Sequence, residues 1–101
     1  MTFQENNIQK DINILELVVL KITKYYEKSL YISDLIYDLE SYLNQLTVVD
    51  RQWKMNFRTT WFDIEVAYSL ALDLGLDKPV NDGDAIVMNS LNILKKMAQD
   101  E

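Results

Sequence analysis

The stretch Ile32-Ser33-Asp34-Leu35-Ile36-Tyr37-Asp38-Leu39-Glu40-Ser41-Tyr42-Leu43-Asn44-Gln45-Leu46 decides the fold. Ile32, Leu35, Ile36, Leu39, Leu43 and Leu46 recur every three or four residues, so on a helix they share one face. Asp34, Tyr37, Asp38, Ser41 and Gln45 fall on the opposite face. A strand would need alternation, and this stretch has none. Ser29 or Ser33 is a candidate N-cap, because a serine hydroxyl can accept from an otherwise orphaned first-turn N–H.

Working outward, the same period continues on both sides. Residues 5–28 predict a first helix, with Ile8, Ile12, Leu15, Val19 and Ile22 as its inward stripe and Leu17, Val18 and Leu20 widening it. Residues 50–74 predict a third helix, with Trp53, Phe57, Trp61, Ile64, Tyr68 and Leu72 inward and Val66 and Leu70 extending the buried side. Asp50 is its candidate N-cap and Gly75 its C-terminal stop. The segment Leu76-Asp77-Lys78-Pro79-Val80-Asn81-Asp82-Gly83 alone is rich in turn residues. A fourth helix over residues 82–98 follows, with Ile86, Val87, Ser90, Leu91, Leu94 and Met97 inward. Asp82 and Asp84 suit its positive start, and Lys95 and Lys96 its negative end. Four amphipathic helices on short connections predict an all-α, antiparallel four-helix bundle, with residues 1–101 as a single domain.

Composition agrees and narrows the function. The chain has 101 residues, 49% apolar and 26% charged, with only 2 Gly and 1 Pro. So few turn residues disfavour an all-β fold. With no Cys there is neither a disulfide nor a thiolate metal site. With no His the commonest general base and transition-metal ligand are gone. Gly75 and Gly83 stand alone, so no phosphate-cradling loop is present. Carboxylate pairs such as Asp34/Asp38, and Asp73/Asp77 if the helix continued past Gly75, could hold only a hard cation, and a solvated acidic face is the expected reading of both. The expectation is a non-enzyme with no cofactor and no metal site. The opening Met1-Thr2-Phe3-Gln4-Glu5-Asn6-Asn7 lacks the basic-then-apolar order of a targeting signal. The longest apolar run, Leu17 to Leu20, is far short of a membrane span. A cytoplasmic protein is expected, with no membrane partner.

The formal net charge is −6, and it is unevenly placed. Asp34, Asp38, Glu40 and Asp50 occur with no base between residues 31 and 50. Arg51, Lys54 and Arg58 then occur with no acid. Asp63, Glu65, Asp73, Asp77, Asp82 and Asp84 follow, against Lys78 alone. Trp53 and Phe57 interleave with the bases, a pattern that nucleic-acid binders use for stacking. A net-negative chain tracks phosphate poorly, so the bases are expected to pair with acids of the second or fourth helix, and no nucleic-acid partner is expected. The natural partner of this surface is a basic protein. On the second helix, Asp34, Tyr37, Asp38 and Ser41 are neighbours, and an aromatic set between carboxylates suits a protein interface. The plain alternative is a surface tyrosine among solvated acids.

Asp34-Leu35-Ile36-Tyr37-Asp38-Leu39-Glu40, then Leu43, Leu46, Trp53, Phe57, Trp61, Ile64-Glu65, Tyr68 and Ala71-Leu72-Asp73-Leu74-Gly75 form a pattern over residues 34–75. It resembles small, acidic, helical immunity proteins of bacterial toxin–immunity loci, including contact-dependent growth inhibition systems. The resemblance implies an antitoxin that binds and neutralises a cognate toxin domain, often a nuclease (RNase or DNase). A basic substrate groove would be steered onto an acidic module, which would occlude the active site. Asp34, Tyr37, Asp38 and Ser41 are the first candidates for contact, and Asp63, Asp73, Asp77, Asp82 and Asp84 the second. A monomer in the complex is expected. The alternative is a helical adaptor or regulatory homo-oligomer that buries Tyr25, Tyr26 and Tyr31 against itself.

Overall fold

The computed structural model describes the backbone over residues 3–100 and side chains over residues 6–100. Met1 and Thr2, which open the stretch read for a targeting signal, lie outside the described residues. Four helices form: α1 (Phe3–Tyr26), α2 (Ile32–Gln45), α3 (Arg51–Asp73) and α4 (Asp82–Asp100), and no strand occurs among the described residues. α1 packs on α2 and α4, and α3 packs on the same two, so α1 and α3 sit across the core from each other. All four contribute to one core, which includes Ile22 of α1, Leu39 of α2, Phe57 of α3 and Leu91 of α4. No helix of the described residues is long and apolar enough to cross a membrane.

Local chemistry sets the helix ends. Asp50 accepts from the backbone N–H of Gln52 (3.1 Å) and Trp53 (3.3 Å), capping α3 as its sequence suggests. Gly75 takes a left-handed φ of +78°. It donates to the Leu72 carbonyl at 2.9 Å while Leu76 donates to that of Ala71 at 2.9 Å, so two terminal carbonyls are satisfied. α1 ends in the same way with a lysine in the glycine's place: Lys28 has φ +62°. Lys28 and Ser29 donate to the carbonyls of Tyr25 and Lys24, each at 3.0 Å. The start of α2 departs from expectation. Its N-cap is Tyr31, with no side-chain cap. Ser29 Oγ donates to the Lys24 carbonyl instead, and Ser33 lies inside the helix.

The inward face of α2 is as read, from Ile32 to Leu46. Other faces need correction. On α1 the buried line runs through Asp11, Ile14, Leu15, Val18 and Ile22, while Ile8, Ile12, Leu17 and Leu20 are exposed. The helix carries more apolar residues than a face covered by two neighbours can bury. On α3, Val66, Leu70 and Leu72 are exposed and the small Ala67 and Ala71 are buried. With Ser90 buried on α4, small side chains supply the close approach of α3 and α4, and bulk is turned outward. Ile86 is likewise exposed and Ala98 buried. α4 runs on to Asp100, so Lys95 and Lys96 precede its last turn, and Lys95 Nζ sits 5.6 Å over the Tyr26 ring.

Among the described residues the bases of α3 do not pair with acids. Lys54 donates to the Leu46 carbonyl and Arg58 donates to Asn44 Oδ1 at 3.0 Å. Trp53 stacks on Phe57 at 5.3 Å, and the Trp61 indole donates to the Ile36 carbonyl at 2.9 Å. Trp61 thus ties α3 to α2, while Trp53 and Phe57 stack on each other within α3.

Candidate partner-binding face

The first group of candidate contacts sits on the outer side of α2. Asp34 is exposed in the first turn, where a carboxylate suits the helix N-terminus. Tyr37 is 73% exposed, so its ring is free to cover a partner's surface. Asp38 is committed elsewhere: it forms a 3.3 Å ion pair with Lys21 of α1, the only ion pair among the described residues. Ser41 is half-buried and its Oγ accepts from Gln45 Nε2 at 3.1 Å. Asp34 and Tyr37 therefore carry the accessible chemistry of this group.

The second group divides. A cleft of about 660 Å³ opens where the α1–α2 connection meets the α3–α4 connection. Tyr25, Tyr26 and Tyr31 line one side, and Asp77, Lys78 and Asp84 the other. Ile32 lies in its wall, which places Asp34 two residues from it. Asp73 ends α3 just before this connection, and Asp82 opens α4 just after it; both are exposed. So one end of the molecule gathers Asp34, Asp73, Asp77, Asp82 and Asp84. Asp63 lies apart, exposed at mid-length of α3. Lys28 and Lys78 also line the cleft and offset Asp77 and Asp84 within it, so the surplus negative charge lies around the cleft rather than inside it. Among the described residues no cluster of three His, Cys, Asp or Glu could hold a metal ion.

The tyrosines belong to this face, although sequence reasoning set them in a separate oligomer surface. Tyr31 is 80% exposed, while Tyr25 and Tyr26 are half-buried. The Tyr26 hydroxyl donates to Asn92 Oδ1 at 2.6 Å, which locks its ring across α1 and α4. Their clustering along Tyr25-Tyr26 and Tyr31 was the available signal. What the sequence lacked was the long-range meeting of the two connections.

Burial raises the Tyr25 hydroxyl above the ordinary tyrosine range, and the nearby Asp84 carboxylate raises it further. Burial raises Tyr26 as well. A raised folded value favours neutral tyrosine, so the associated stability is lost as pH rises through that value. Replacing Asp84 with Asn is expected to lower the Tyr25 midpoint without returning it to normal, because burial is the larger cause. Tyrosinate absorbance titration checks this. The shift caused by Asp84→Asn should vanish in a Tyr25→Phe background.

Comparisons with protein-family models, with curated proteins and with solved structures give no match. Function therefore rests on the residues themselves.

Proposed function

We propose that this chain is an immunity protein that binds a cognate bacterial toxin domain in the cytoplasm and occludes its active site. In this reading the toxin is a basic nuclease, one chain meets one toxin domain, and the chain itself has no catalysis and no cofactor. The scaffold is an antiparallel four-helix bundle, which the cyclic packing of α1, α2, α3 and α4 and the meeting of alternate connections at one end support.

The observation that carries the reading is the pairing of exposed tyrosines with unpaired acids at one end. Tyr31 and Tyr37 are 80% and 73% exposed. Asp34 lies one helical turn before Tyr37, Asp77 and Asp84 line the cleft with Tyr31, and Asp82 opens α4 beside it; none of these acids has an ion-pair partner among the described residues. Tyrosine gives a large contact area at small entropic cost, and carboxylates around it select Lys and Arg on the partner. The net charge of −6 adds steering toward a cationic groove.

The test is stopped-flow mixing with the toxin domain encoded beside this gene. Nuclease activity should be blocked at equimolar ratio. The association rate should fall by at least about tenfold between low and high salt, as steered encounters do. Asp34→Lys with Asp84→Lys should slow association, and Tyr37→Ala should speed dissociation. A rate indifferent to ionic strength, or unchanged binding by these variants, overturns the reading.

A further inference from the structure

The outer side of α3 carries a surface that neither the core nor the tyrosine end explains. Met55, Phe62, Val66 and Leu70 are 53%, 54%, 39% and 59% exposed. With Thr59 they follow helical spacing along the side opposite the buried Phe57, Ile64 and Ala71. Scattered exposed apolar residues are ordinary, but a stripe running the length of a helix is not.

The charges of α3 are placed against its own dipole. Beyond the Asp50 cap its first turn holds no acid and its last turn no base. Instead Arg51, Lys54 and Arg58 occupy the N-terminal half, and Asp63, Glu65 and Asp73 the C-terminal half. This order disfavours an isolated helix. Lys54 and Arg58 are turned toward the C-terminal end of α2, but none of these six groups makes an ion pair among the described residues, and Arg51 and Asp73 are both exposed.

Phe62 is the central residue of α3 (Arg51–Asp73). Arg51 and Asp73 lie equally far from it, so a second copy laid antiparallel across it sets each Arg51 opposite an Asp73. We propose that the outer side of α3 is a self-pairing surface, on which two copies of this chain dock about a two-fold axis at Phe62. Met55, Val66 and Leu70 flank the axis. Arg51 of each copy faces Asp73 of the other, and the two opposed helix dipoles attract. The contact is isologous, so it closes at a dimer. The tyrosine cleft of each copy stays open, since no residue of the stripe lines it. The surface is distinct from the Tyr25, Tyr26 and Tyr31 region, shares only Asp73 with the acidic end, and stands whether or not a toxin is the partner.

A single helix pair falls toward the small end of protein interfaces, below about 1,200 Å² in total, so the dimer is expected to form in the micromolar range. Sedimentation equilibrium of the full chain from about 1 µM to 1 mM should show a monomer–dimer equilibrium. Arg51→Asp should weaken it by at least about tenfold, since two attractions become two repulsions. The double variant Arg51→Asp with Asp73→Arg should restore it. The chain has no native cysteine, so Phe62→Cys should give a disulfide-linked dimer under mild oxidation while Gln99→Cys should not. A monomer across the whole range overturns the proposal, as it must if the stripe serves a different protein. So does equal cross-linking at both cysteines, or failure of the double swap to restore pairing. Circular dichroism of each variant keeps misfolding separate from loss of pairing.

Discussion

Replacing Asp11 with alanine is expected to lower the unfolding free energy by about 3 kcal/mol, an effect out of proportion to one polar side chain. Asp11 is 2% exposed on the core side of α1. Its carboxylate accepts from the backbone N–H of Thr47 at 2.9 Å, of Val48 at 2.8 Å and of Val49 at 3.2 Å. It also accepts from the Thr47 hydroxyl at 3.1 Å. These groups belong to the connection between α2 and α3, which has no other helix or strand to satisfy its donors. Removing the carboxylate takes the partner from three N–H groups at once, and a hydrogen bond to a charged group is worth about 1.5–3 kcal/mol; Thr47 and Val48 are exposed, so water recovers part of the sum. Asparagine is expected to recover little, because its amide brings new donors to a site made of donors.

The same site sets the acid limit of stability. Burial alone would raise the Asp11 carboxyl, but the hydrogen bonds from Thr47, Val48 and Val49 outweigh it and hold it below its ordinary 3.8. A lowered folded value means that its contribution is complete above the unfolded pKa. It is lost as pH falls through the folded value. Urea denaturation between pH 7 and pH 2 should therefore show a steep acid limb that Asp11→Ala flattens. A loss at neutral pH below about 1 kcal/mol, within the range of ordinary surface changes, would mean that the connection is held by something else.

Asp11 also shows where sequence reading stops. Within its own helix it is one more acid, and its partners lie 36 to 38 residues further along the chain. By contrast the face of α2 was legible, because a helix buried on one side prints its period directly into the sequence. The Asp50 cap and the Gly75 stop were legible because their hydrogen bonds are local. The buried faces of α1, α3 and α4 were partly misread for one reason. Ala67, Ala71 and Ser90 send a weak hydrophobic signal yet define the close contact, and larger residues beside them are left outside. For the candidate site, the outward positions of Asp34 and Tyr37 follow from the period alone. The capture of Asp38 by Lys21 and the joining of Tyr31 to Asp77 across one cleft depend on how helices meet.

The second large effect is expected at Phe57, and its meaning comes from comparison with Phe62 on the same helix. Phe57 is 0% exposed and stacks on Trp53 with ring centroids 5.3 Å apart. Phe57→Ala removes a whole ring from the core, and close-packed cores collapse only partly around such a gap. The expected loss is about 3–5 kcal/mol. Phe62→Ala deletes the same atoms from a ring that is 54% exposed, so in dilute solution it should cost no more than about 0.5 kcal/mol. Urea melts of the two variants at low micromolar concentration measure both. If they cost the same, the register of α3 is wrong, and the core and the outer stripe exchange places. A further comparison reaches the pairing surface. Dimerisation stabilises the folded chain by mass action, so the wild-type midpoint should rise with protein concentration. Phe57→Ala should keep that concentration dependence wherever it remains folded, because the outer side of α3 is intact. Phe62→Ala should lose it while keeping its stability in dilute solution, which separates a ring that holds the fold from a ring that holds a second copy.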